Sequence, residues 1–159
     1  MFDVKDNLIS SEWLEDVLNK LTYVDKKFSF SDNETVFITS IGGDNLPVIK
    51  INVTMYATTN LIKMRSLIAH NVDESIKDKL LHIINKDNLM YEYIKLGINS
   101  DNNVIAKSYF LLYGYEEDKR EHVNMAYLIF AEAVDKVIPD IYRAIWQCRE
   151  TNSHAPSST

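Results

Sequence analysis

Cysteine occurs once in this 159-residue chain, at Cys148. A single thiol excludes an intramolecular disulfide and any metal centre built on several thiolates, and it fits a reducing compartment. No hydrophobic run approaches the roughly 18 apolar residues that a membrane span requires, so no membrane partner is expected. The opening stretch MFDVKDNLIS carries acids and lacks a basic segment followed by an apolar one, which argues against a secretory signal and gives a cytoplasmic address by default. Basic residues are in deficit, 17 Lys and Arg against 23 Asp and Glu, for a net charge of −6. That balance repels phosphate backbones over the molecule as a whole and disfavours nucleic acid as a partner. Lys26, Lys27, Lys50, Lys63 and Arg65 all fall in the strand-rich half and could form a local basic patch, but solvated strand faces are the simpler reading.

Catalytic signatures are absent too. No G-x-S-x-G nucleophile elbow occurs. Cys148, between Gln147 and Arg149 near a helix end, reads as a passive residue. His70, His82, His122 and His154 are too widely spaced for the pairs a zinc site uses, and His82 is expected on the exposed side of its helix. Gly42-Gly43 has no Lys-Ser or Lys-Thr after it and leads into a strand, so it reads as a turn and not as a phosphate-binding loop. Asn99, Asp101 and Asn103 alternate as calcium ligands would, yet Val104 stands where glycine is needed and Phe110 where the bidentate glutamate should be, which leaves a hairpin turn. Glu116, Glu117, Asp118 and Glu121 could pair for acid-base work, but acids at a helix start already suit its dipole. No catalytic residue, cofactor or metal is assigned.

What is present is a clear pattern of elements. At this length one core is expected, burying roughly 70% of the surface of the unfolded chain. Ser10 or Ser11 can cap a first helix whose stripe is Trp13, Leu14, Val17, Leu18 and Leu21. YVDKKFSF and TVFITSI read as strands around Ser31-Asp32-Asn33. Residues 48–57, VIKINVTMYA, alternate strictly: Ile49, Ile51, Val53, Met55 and Ala57 face one way, Lys50, Asn52, Thr54 and Tyr56 the other. In LIKMRSLIAH the set Ile62, Met64, Ser66 and Ile68 shares a face. Asn71 and Glu74 suggest a capping box for a second helix, which the polar bridge Asn85-Lys86-Asp87-Asn88 is expected to end. LMYEYIKLGI and VIAKSYFLLY then form a hairpin around NSDNN, and a final helix runs from Glu116 with a kink or restart at Pro139.

The fold class is therefore α+β: an antiparallel-rich sheet with helices packed on one face, in the order α-β-β-β-β-α-β-β-α. A single domain is expected over residues 1–148, with 149–159 as a flexible C-terminal tail. LLHIINKDN before a hairpin, the hairpin YEYIKLGINSDNNVIAKSYFLL itself and the closing AEAVDKVIPDIYRAIW resemble the type III secretion chaperone-like fold, and within it the bacterial YbjN-like family, named for sensory transduction regulation. The resemblance covers residues 8–147. It implies a non-enzymatic protein that binds a protein partner, often as a homodimer, through sheet or helix surfaces. Tyr56, Tyr91, Tyr93, Tyr109, Tyr113 and Tyr115 suit such a surface, or equally serve as cross-strand packing pairs. Masking or presenting a partner segment, with strand addition at a sheet edge, would be the mechanism. The alternative is a small-ligand or enzymatic domain with a pocket between sheet and helices lined by Trp13, Phe110 and Trp146.

Overall fold

The computed structural model describes residues 8–153. Helix α1 spans Ser11–Leu21, and the Ser10 hydroxyl caps it by accepting the Trp13 amide at 3.1 Å. Strands β1 (Tyr23–Ser29), β2 (Glu34–Ile41), β3 (Ile49–Tyr56) and β4 (Leu61–Ala69) follow as an antiparallel meander. A 3-10 turn at Glu74–Ile76 leads into α2 (Lys77–Met90). The hairpin β5 (Lys95–Ile98) and β6 (Val104–Leu111) joins the same sheet, and α3 (Glu116–Ser153) closes the chain. Sheet order is β1-β2-β3-β4-β6-β5, antiparallel throughout.

The alternation in β3 holds residue by residue. Ile49, Ile51, Val53 and Met55 are buried, and the registered positions of β2 and β4 continue that face with Thr35, Phe37 and Thr39 and with Ile62, Met64 and Ser66. Leu14 and Leu18 of α1 and Val123, Tyr127, Phe130 and Val134 of α3 cover it, so all helices lie on one side. Tyr127 ties the layers together: its hydroxyl lies 2.6 Å from that of Thr39 and donates to the Thr22 hydroxyl at 3.2 Å.

Three local expectations change. Asn71 does not start α2; it sits at φ 41°, and the Asp73 carboxylate caps the 3-10 turn through the Ser75 amide. The polar bridge does not end α2, which continues to Met90. Asp87 is buried and Asn88 directs its amide onto β5, so neither side chain turns back to compete with its own helix backbone. The fifth strand consequently begins at Lys95 instead of Leu89. Pro139 produces no second helix either, because α3 runs through it without interruption. Proline removes the N–H that would bond the carbonyl four residues back, at Asp135, and the Asn45 side-chain amide donates to that carbonyl instead, at 3.1 Å. The helical run also takes in residues 149–153; residues 154–159, with His154, lie outside the described residues.

Candidate functional site

The face of the sheet turned away from the helices has no element over it among the described residues. Register places Lys26, Lys50, Lys63, Arg65, Lys95 and Lys107 there with one acid, Glu34, and Asp25 in the β1 bulge joins them by accepting the Ser40 hydroxyl. None of the six cations forms an ion pair among the described residues, while Lys20, Lys27, Lys77, Arg120, Lys136 and Arg143 all do. An acidic chain has thus concentrated unpaired positive charge on one surface. Lys27 is the exception to the expected group, since it points to the helical side and pairs with Glu15 at 2.7 Å. Aromatic and aliphatic side chains alternate with the cations: Tyr23 and Tyr109 are 69% and 63% exposed, and Phe28, Leu67 and Leu111 are exposed beside them. Of the tyrosines singled out from the sequence, Tyr56 and Tyr109 stand in strands on this face; Tyr91, Tyr93, Tyr113 and Tyr115 lie in connections.

The sheet edges are closed off differently. On β5 the Asn88 side chain accepts the Leu96 amide at 2.7 Å and donates to the Leu96 carbonyl at 3.0 Å, so a helix residue occupies the groups a docking strand would use. The opposite edge, β1, carries a bulge between Val24 and Lys26, and the charges of Asp25, Lys26 and Lys27. Neither edge presents a flat, apolar template.

A cleft opens within the sheet. The β3–β4 ladder runs from Tyr56↔Leu61 to Asn52↔Arg65 and stops, after which β3 stays with β2 and β4 stays with β6. Side chains take over from the abandoned ladder: Ser66 Oγ donates to the Lys50 carbonyl at 2.8 Å and the Tyr142 hydroxyl to that of Ile68 at 2.9 Å. The opening has a volume of about 690 Å³ and is lined from both faces, with Lys50, Arg65 and Leu67 at the open side and Val134 and Ile138 of α3 at the other. His70 and Asn103 close one end.

The β2–β3 connection forms another wall of the cleft through Leu46 and Val48. A carboxylate on α3 holds it in place. Asp135 accepts the backbone amides of Asp44 at 2.9 Å and of Asn45 and Leu46 at 3.1 Å. Burial acts to raise this carboxyl, but the amides of Asn45, Leu46 and Asp44 together with the Asn45 side chain outweigh it, and the group sits below the ordinary aspartate value. Gly43 is required at this approach, because a Cβ there would come within 2.7 Å of the Asp135 Cγ and 2.8 Å of Ile49 Cδ1.

Trp13, Phe110 and Trp146 are not brought together. Trp13 packs at the α1–α3 contact with the Arg120 guanidinium 5.9 Å from its ring, and Phe110 stacks on His122 at 4.9 Å. Trp146 follows His122 by about 36 Å along α3 at 1.5 Å per residue, and is exposed. Asn99 spends its side chain on the β5–β6 turn, accepting the amides of Asp101 and Asn103. Cys148 lines a separate hollow of about 370 Å³ with His70, Asp73 and Arg149, its sulfur 3.7 Å from the Ser75 hydroxyl. Asp118 accepts the Tyr115 amide at the start of α3. No helix among the described residues is long and apolar enough to cross a membrane.

These features define an α+β domain with a six-stranded antiparallel sheet, helices on one face and a basic, apolar surface on the other. The architecture is similar to that of YbjN. A crystal structure of YbjN from E. coli, described as "a putative transcription regulator", superposes with a TM-score of 0.53 at 14% identity, over 86% of this chain and 96% of that one. The crystal structure of an uncharacterized protein from Methanothermobacter thermautotrophicus gives a TM-score of 0.55 at 14% identity, over 86% and 99%. No protein-family model and no curated protein matches the sequence. At this identity the likeness is one of fold.

Proposed function

We propose that this chain is a non-enzymatic regulatory or adaptor domain that binds a protein partner through its open sheet face, and that the docked segment is acidic with apolar residues interspersed. The observation that carries this reading is the charge segregation: six unpaired cations interleaved with exposed Tyr, Phe and Leu on the one sheet face that no helix covers. Complementary potential supports specificity and association rate, and exposed tyrosines provide contact area at low entropic cost. The aliphatic content of the face, with Val36, Ile38, Leu61 and Ile105 among the cations, suits a protein segment better than a polynucleotide. Two copies meeting through this face would oppose like charges, so the partner is a different chain and self-association falls to the helical side.

The test is crosslinked affinity capture from native extract with wild type and with a Lys63→Glu/Lys107→Glu variant, whose substitutions lie on the open sheet face outside the core, with circular dichroism of the variant to show that the fold is retained. The wild type is expected to retain partners bearing acidic segments, with yield falling as salt rises, and the variant to lose them. Equal capture by both proteins, no capture by either, or capture abolished by nuclease would each overturn the reading.

A further inference from the structure

The cleft between β3 and β4 is a second feature that the docking of a partner does not require. Its lining contains no Asp or Glu, in a chain that has 23 of them, while Lys50, Arg65 and His70 all contribute. Its polar groups are unevenly committed. Ser66 and Tyr142 already donate to backbone carbonyls, and Asn103 accepts the Asn71 amide. Lys50 and Arg65 have no partner among the described residues, so the unspent capacity is positive and hydrogen-bond donating. Below them the walls become aliphatic, ending on Val134 and Ile138.

We infer that this cleft is a binding site for a small amphipathic anion, an apolar chain or ring bearing one carboxylate. The apolar end enters between the parted strands and rests on α3; the carboxylate stays at the open face with Lys50 and Arg65. A continuous peptide does not fit the same description. The strands remain joined at Asn52↔Arg65 and through the Ser66–Lys50 hydrogen bond, so the gap is closed at one end and admits a ligand end-on. The volume of about 690 Å³ lies within the range of small-molecule sites. Charge selects the ligand class, since a carboxylate-bearing molecule meets two unpaired cations and no competing acid, whereas a cation or a neutral molecule leaves both unused.

The test uses octanoate as the probe, followed by amide chemical shifts of the full-length protein in ¹⁵N–¹H spectra. Saturable shifts are expected at Lys50, at residues 65–68 and at His70. Octanamide, which lacks the charge, and acetate, which lacks the chain, should each bind ~10-fold or more weakly, and a Lys50→Gln/Arg65→Gln variant should lose octanoate affinity by a similar factor. A Lys63→Gln/Lys107→Gln variant removes two cations of the docking face that lie outside the cleft lining and places no acid opposite Arg65; it should bind octanoate as wild type does while losing capture of the protein partner, which separates this inference from the docking of that partner. Absence of saturable shifts up to the solubility limit, equal binding of octanamide, shifts scattered away from the cleft, or full affinity in the double Gln variant would overturn it.

Discussion

Replacing Asp135 by Asn keeps the shape of the side chain and removes its charge, which isolates what the carboxylate does for the β2–β3 connection. In the native protein its two oxygens accept three backbone amides and the Asn45 side chain. Hydrogen bonds to a charged acceptor contribute about 1.5–3 kcal/mol each, but Asp44 and Asn45 lie at the surface, where water replaces part of what is lost. Leu46 is half-buried, and the new Asn would present an NH2 group to a ring of donors. The net expectation is a loss of about 2–4 kcal/mol, a large fraction of a typical domain stability of about 5–15 kcal/mol. The loss should depend on pH in a defined sense. A carboxyl whose folded value is depressed stabilises the native state above its unfolded value, near about 3.9, and that stabilisation fades as pH falls through the depressed value. Urea unfolding of wild type and Asp135→Asn at neutral pH, and in steps down to about pH 2.5, should therefore show a gap that closes in acid. A gap below about 0.5 kcal/mol at neutral pH, or one that stays constant into acid, would refute the reasoning.

Two further substitutions probe other polar groups. Asn88→Ala exposes the Leu96 amide and carbonyl on the β5 edge; it should cost about 1–3 kcal/mol and raise concentration-dependent self-association in sedimentation velocity, and an unchanged monomer fraction would count against the edge-guard role. Asp87 is 3% exposed and one of its oxygens has no hydrogen-bond partner among the described residues; burial first, then Asp140, raises its carboxyl, against Lys86. Burying this carboxyl is thus a native-state cost that is absent below the unfolded value, grows as pH rises from there to the raised value and is complete above it, so Asp87→Asn should stabilise the protein at neutral pH and be without effect in acid, as thermal unfolding across pH will show.

Strand alternation was readable in the sequence because β3 and β4 are half-buried and their period of two is unbroken from Ile49 to Met55 and from Ile62 to Ile68. The element order followed from it. The end of α2 was not readable, since Asn and Asp break helices when their side chains bond locally, and here Asp87 and Asn88 are turned to tertiary contacts that no local pattern announces. Pro139 misled for a similar reason: the carbonyl it orphans finds Asn45, a residue ninety positions away. The open basic face was half legible, with Lys26, Lys50, Lys63 and Arg65 present in the strands but Lys95 and Lys107 added only by the position of the hairpin beside β4. The cleft is a matter of where pairing stops, which propensity does not encode. Two signals pointed toward it: residues 45–72 contain no acid, and Ser66 interrupts an otherwise apolar inward face.

The polar residues that break local rules are linked to one another. Pro139 frees the Asp135 carbonyl, Asn45 takes it, and the Asp135 side chain then fixes Leu46, which forms a wall of the cleft. Restoring the helix bond with Pro139→Ala would therefore place the Asn45 amide in competition with a backbone N–H for one carbonyl. The expected result is a more stable helix with a looser connection: amide exchange should slow in the turn of α3 around the substituted position and quicken at Asn45 and Leu46. Slower exchange at both places would mean that the connection is held by Asp135 alone and that the proline plays no part in shaping the cleft.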